Sequence, residues 1–279
     1  MPTWIHQYKF LHKPVKPAIT IFASHVFARD QNCLLENSMF RLLKALPLTL
    51  ALAAFSFFAA SCGSGSQSQI RVVNAIPDVP NNTPLDIDVN GTKVITALAF
   101  PNFQPSSGYT KVASGSVTIA ALDTGTTTQV LSSTGTLSGS TQYTVVLAGF
   151  KANPSAVQIT DNNSAPTSGN IEFRIIHASP SGTTPVDVYI VPPGTDITNV
   201  TPQVGGANPL AYTQASVYVS VAFAANGYAV IVTPSGNKVP IVNQNYTPPT
   251  GSIRTLVLVD NAGGGNGMST LPVELSDLN

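Results

Sequence analysis

Along the second half of the chain, Val217, Val219, Val221 and Phe223 alternate with Tyr218, Ser220 and Ala222. A period of two places alternate side chains on opposite faces, so this stretch predicts a half-buried strand. Asn226-Gly227 follows and predicts a two-residue hairpin, because both central positions of that turn favour positive φ. Val89-Asn90-Gly91-Thr92 carries the same signal earlier in the chain, and Val117, Ile119 and Tyr143 to Leu147 predict further strands. No stretch after Cys62 shows a helical period of useful length. About seven short strands per 100 residues predict an all-β fold built of Ig-like antiparallel β-sandwiches.

Apolar character is arranged differently near the N-terminus. From Met39 the chain reads "MFRLLKALPLTLALAAFSFFAASC", with Arg41 and Lys44 ahead of an apolar run from Ala45 to about Phe58, and Ala59, Ala60 and Ser61 before Cys62. Positive, apolar, small is the order of a secretory signal peptide. Leu46 to Ala60 is short for a membrane span, which takes about 20 apolar residues, and Pro47 interrupts it. The small residues ending on Cys62 resemble the lipobox of bacterial lipoproteins, although Ala59 stands where that family usually has Leu. The resemblance implies a diacylglyceryl group on the Cys62 thiol, cleavage before Cys62, acylation of the new amine, and partnership with the membrane. Two or more acyl chains anchor stably where one does not. Gly63 after the cysteine implies the outer membrane of the cell envelope. Residues 62–69 then read as a flexible tether. Residues 39–61 are the expected leader, and residues 1–38 precede a complete one, so they read as an upstream extension from a wrongly chosen start or, alternatively, as an unusually long n-region that is also removed.

The remainder repeats itself. "IRVVNAIPDVPNNTPLDIDV" (Ile70–Val89) matches "FRIIHASPSGTTPVDVYIV" (Phe173–Val191), pairing Arg71 with Arg174, Pro77 with Pro180 and Asp86 with Asp187. Leu98–Phe100 matches Leu210–Tyr212, Ala113 matches Ala225, and Gly139–Leu147 matches Gly251–Val259, all at an offset of 112. The expected domains are residues 70–169 and 170–279, with an insertion in the second copy within Val191–Asn208. The pattern R-[VI]-[VI]-[NH]-A-x-P followed by P-[VL]-D-[VI]-x-[VI] resembles the domain of unknown function 4397, over residues 70 to about 260 and in both copies. That resemblance implies an envelope address and the sandwich fold, and supplies no established activity. Asn74 stands where the family usually has His, as His177 does in the second copy.

Charge narrows the function classes. From Cys62 onward there are 7 basic and 11 acidic residues, which argues against nucleic acid as a partner, since that needs a clustered basic face. Cys33 and Cys62 fall on either side of the expected cleavage, so no disulfide framework is expected. His177, Ser179 and Asp187 can be written as a Ser-His-Asp set, but no G-x-S-x-G elbow exists in the chain and His177 follows the apolar Ile175-Ile176. A packing role for it is the expectation, with no catalytic residue, metal or cofactor. Asp86, Asp88 and Asn90 have the spacing of a calcium loop, yet Ala97 stands where a bidentate Glu should be. "NAGGGNG" (Asn261–Gly267) lacks the spacing and following helix of a phosphate cradle, and reads as a flexible loop. Arg71 and Arg174 suggest structural ion pairs, with Asp86 and Asp187 as partners. Tyr109, Tyr189, Tyr212, Tyr218 and Tyr246 could form a stacking platform for sugar or protein. Together these predict a non-catalytic binding, structural or adhesion-like envelope module for a surface protein or polysaccharide. The insertion Pro192–Ala207 is the expected place of specific contact; a carbohydrate-binding accessory protein or hydrolase is the alternative.

Overall fold

The computed structural model describes residues 66–265 and 267–277. Cys62 and the whole expected leader lie outside the described residues.

The described chain is nearly all β, arranged as two sandwiches. In the first, β1 (Ser68–Asn74), β4 (Asn102–Gln104), β5 (Thr110–Val112), β8 (Gln142–Ala148) and β9 (Ser155–Thr160) form one sheet. The order is β4-β1-β8-β9, with β5 also on β1. The facing sheet is β3-β2-β6-β7, from β2 (Leu85–Val89), β3 (Thr92–Leu98), β6 (Gly115–Asp123) and β7 (Gln129–Leu137). Ile70, Val72, Tyr143, Val145 and Leu147 of the first sheet pack on Leu85, Ile87, Val117, Ile119 and Leu131 of the second. In each case alternate residues of the strand point inward, as the pleat requires.

The second sandwich repeats this pairing. The sheet β12-β10-β15-β16 is formed by β10 (Asn170–His177), β12 (Val219–Ala222), β15 (Ile253–Leu258) and β16 (Val273–Ser276). It faces β11-β13-β14, from β11 (Val186–Val191), β13 (Tyr228–Pro234) and β14 (Val242–Tyr246). Strands β1 and β8 run parallel, as do β10 and β15, and every other pairing is antiparallel.

Strand pairing corrects the repeat register. Arg71 sits opposite Thr144 and Arg174 opposite Thr255, so these strands correspond at an offset of 111 rather than 112. Strands β6 and β13 agree, since Ala121 faces Ile87 as Val232 faces Val188. One residue decides the face: at 112 the inward Val145 would be matched with Val257, which points the other way.

Turn expectations divide. Asn90 and Gly91 take φ of 50° and 76° and close the β2–β3 hairpin as expected. At Asn226-Gly227 only the glycine is left-handed, and the turn does not close a hairpin. It passes from β12 in one sheet to β13 in the facing one, and a Cβ on Gly227 would overlap the Tyr246 carbonyl. The alternating stretch is accordingly shorter than expected. Val219 and Val221 pack on the core, whereas Val217 is 80% exposed.

The two sandwiches lie side by side. Val73, Ala75, Val146 and Ala148 on the outer face of the first β1–β8 sheet meet Ile176, Ala178, Val257, Val259 and Leu275 of the second. The joint is a hydrophobic core in its own right.

Candidate functional site

The most extensive polar arrangement lies in this joint. Arg71 on β1 donates from Nε to Thr144 Oγ1 at 2.8 Å, and Arg174 on β10 donates to Thr255 Oγ1 at 3.0 Å. Each guanidinium then reaches the carboxylate that ends the other sandwich. Arg174 Nη2 bonds Asp161 Oδ1 at 2.6 Å, and Arg71 Nη2 bonds Asp277. Their Nη1 groups donate to the Thr160 and Ser276 carbonyls at 3.1 and 2.9 Å. Arg71 also lies 3.4 Å from Asp161, and Arg174 3.3 Å from Asp277. Tyr109 and Tyr218 cover the two guanidinium groups, 5.2 and 4.7 Å from ring centroid, and donate their hydroxyls to Asp161 and Asp277 at 2.8 and 2.9 Å.

All four charged side chains are at most 2% exposed. Burial acts against the Arg174 charge, but the Asp161 and Asp277 carboxylates more than offset it, and its pKa lies above the ordinary guanidinium value. Tyr109 and Tyr218 are pushed well above the ordinary phenol range, first by burial and then by the carboxylates beside them. The cluster is charge-balanced and hydrogen-bonded throughout, the condition under which buried ions are tolerated.

Structural ion pairs at Arg71 and Arg174 are therefore borne out, but their partners are corrected. Asp86 instead accepts from Lys93 Nζ at 2.5 Å, Ala97 N at 2.9 Å, Thr124 Oγ1 at 3.0 Å and Gly125 N at 3.3 Å. The Lys93 bond leads the causes holding Asp86 far below the usual carboxylate range. Asp187 accepts from Gly206 N at 2.8 Å and Gly236 N at 2.9 Å. Both aspartates pin the turn that follows the next strand of their sheet, at Gly125 and Gly236. Local turn amides took the residues that the sequence offered to the arginines.

Neither Asp161 nor Asp277 was singled out from the sequence. The two occupy equivalent places, since Thr160-Asp161 and Ser276-Asp277 each close a short strand, but nothing in the local sequence marks them as partners of the arginines. The offset there has grown from 111 to 116, because the stretch between the equivalent paired residues Val257 and Val273 is five residues longer than that between Val146 and Val157.

The Ser-His-Asp set does not assemble. Ser179 donates to Asp260, which also accepts the Ser181 amide at 3.0 Å, while Asp187 serves its turns. His177 is fully buried, with Nε2 3.3 Å from the Thr184 carbonyl and its ring edge-on to Tyr212. Burial lowers its pKa below the ordinary 6.5, and hydrogen bonds to the backbone at Thr184 and Gly182, together with the Asp260 charge, oppose that shift. Of the calcium-like residues, Asp86 is committed to Lys93 and the loop amides, and Asn90 Oδ1 accepts from Thr118 N at 2.8 Å. Among the described residues no three His, Cys, Asp or Glu side chains gather as metal ligands.

The tyrosines form no common platform. Tyr109 and Tyr218 serve the charge cluster, and Tyr212 contacts His177. Tyr246 meets Phe173 edge-on, and Tyr189 is buried beneath Lys238. The glycine-rich loop packs against the first sandwich, with Gly263 N donating to the Pro77 carbonyl at 2.8 Å. A Cβ on Gly264 would overlap Asp78.

The insertion has a packing role. Its Ile197 and Val200 lie on Tyr189, Val191, Ala229 and Ile231, the outer face of the β11-β13-β14 sheet. The equivalent face of the first sandwich carries Asp88, Thr118 and Ala120, and needs no cover. The clefts among the described residues include a shallow pair at matching positions on the two sandwiches. One, of about 500 Å³, runs from Gln203 to Val217; the other, of about 480 Å³, from Ala97 to Ser106. Among the described residues no helix is long and apolar enough to cross a membrane.

Residues 68–189 match the family model described as "Domain of unknown function (DUF4397)". The match spans the first sandwich and reaches Tyr189 on β11 of the second. No curated protein matches the chain significantly. Among solved structures, the subject of "Alpha-glucan binding by a streptococcal virulence factor" is 10% identical, over 73% of this chain and 97% of that one, with a TM-score of 0.23. A family 26 carbohydrate-binding module from Eubacterium rectale Amy13K, in complex with maltoheptaose, is 9% identical over 72% and 95%, also with a TM-score of 0.23. The multi-modular, glycogen-degrading pneumococcal virulence factor SpuA is 11% identical over 75% of this chain and 22% of its own, at the same TM-score.

Proposed function

We propose that this protein is a lipid-anchored, non-catalytic module of a bacterial cell envelope, with two DUF4397-type sandwiches fused into one rigid body. The anchor is the acylated Cys62, and the address is the outer membrane. The observation that carries the reading is the succession of Arg41 and Lys44, the apolar run, and Ala59-Ala60-Ser61-Cys62, only six residues ahead of β1. Two or more acyl chains on one cysteine hold a protein at a membrane stably. The rigid body behind it supports a display role over a catalytic one. His177, Ser179, Asp86 and Asp187 each spend their polar atoms on packing or on turns.

The partner on this reading is a surface protein or polysaccharide, met by loops at the sandwich ends. Cys62→Ser removes the acyl acceptor and leaves the folded part untouched. In cell fractionation the parent protein should require detergent for extraction, and the variant should lose most of its membrane-bound fraction. A variant retained on membranes like the parent would overturn the reading.

A further inference from the structure

We infer, resting on the anchor at Cys62, that both sandwiches stand abreast on the bilayer, one common end facing the lipid and the opposite loops facing away. The first described residue, Ser66, lies against Gly139, and Ser140 N donates to the Gln67 carbonyl at 2.9 Å. The chain thus enters at the end marked by the turn between β7 and β8. Strand β1 runs away from that end.

Strand β10 starts at the same end. Arg71 and Arg174, both in the N-terminal part of the joint, share Asp161 and Asp277. The far ends meet separately, where Gly263 N bonds the Pro77 carbonyl. The turn Pro249–Ser252 before β15 therefore lies at the entry end beside the turn Ser138–Thr141. The β6–β7 turn and the loop from Asn261 to Thr270 lie at the far end.

Distance makes this arrangement consequential. From Cys62 to Ser66 a fully extended chain reaches about 14 Å. The nine residues of β7 rise to about 30 Å. A leash shorter than the body is tall keeps the entry end near the headgroups. Because the joint is a closed apolar core with a buried charge cluster, the second sandwich cannot rise above the first. Its partner at the entry end is a lipid surface, and soluble partners meet the far end of both sandwiches at one height.

The test uses the lipidated full chain in vesicles whose headgroups carry an energy-transfer acceptor. Single donor-labelled thiols are placed at the entry end by Ser138→Cys or Thr250→Cys, and at the far end by Thr127→Cys or Thr270→Cys. All four positions are exposed, and each end is probed once in each sandwich. Transfer from the entry-end pair should exceed that from the far-end pair at least twofold, with both sandwiches alike. A chain that floats with the vesicles yet gives equal transfer from both ends, or different transfer from the two sandwiches, overturns the orientation alone. A chain that fails to float overturns the Cys62 anchor and the orientation with it.

Discussion

At the scale of single residues, the fold is governed by where a buried charge finds its opposite. Asp161 neutralises Arg174, lies beside Arg71, and accepts from Tyr109 and Thr144. Asp161→Ala would leave Asp277 as the one carboxylate facing two buried guanidinium groups, and breaking a buried pair in this way costs about 3–5 kcal/mol. Urea denaturation should show that loss. The double change Arg174→Met with Asp161→Ala should cost less than the two singles added together, because the partners share one network.

His177 gives a pH-dependent case. Burial holds its pKa below the ordinary 6.5, so below that value the unfolded chain takes up protons that the folded chain refuses. Stability should then fall as pH drops below about 6.5. Asn74 fills the equivalent position in the first sandwich with its amide bonded to Leu98 O and Ile76 N. The variant His177→Asn should show a smaller fall in Tm between pH 7.5 and 5 than the parent; equal falls would remove the histidine from the account. Neither aspartate of the joint was legible from sequence. Asp277 lies 103 and 206 residues from Arg174 and Arg71, and local spacing carries no information about a contact closed only by docking two sandwiches.

At the scale of elements, the strands were legible because burial on one face imposes a period of two. Asn90-Gly91 was legible because a tight turn needs two left-handed residues. Asn226-Gly227 misled for a related reason. One left-handed glycine suffices for a chain crossing between sheets, and the dipeptide does not say which sheet receives it. The 112 offset failed by a single residue, which matching of residue types tolerates and alternation of faces does not.

The insertion between β11 and β13 shows how an element answers its neighbours. Tyr189, Ala229 and Ile231 form an apolar outer face that the first sandwich lacks, and Ile197 covers it at 6% exposure. Ile197→Ala should lower stability by about 2–4 kcal/mol. Heat denaturation would check this, and an unchanged Tm would mark the insertion as a loop free of the sheet. Gly205 constrains the same segment, since its φ is 123° and a Cβ there would overlap Asp187.

At the scale of the whole molecule, duplication sets two sandwiches against one shared apolar joint. Sequence alone placed two domains after a tether and assigned them no mutual arrangement. The apolar residues that set that arrangement, such as Val73, Val146, Ile176 and Val257, lie on the faces turned away from the inner cores. Their strands are apolar on both faces, and that departure from alternation was the one available sign of a second buried interface. The account's central claim is that this rigid body is tied to a bacterial membrane through one acylated thiol. Intact mass of the protein extracted from its native membrane tests that most directly. The account predicts a chain beginning at Cys62 and carrying the added mass of a diacylglyceryl group and an amide-linked acyl chain. A mature chain that retains Met39, or that begins near Cys62 without added lipid, would contradict it.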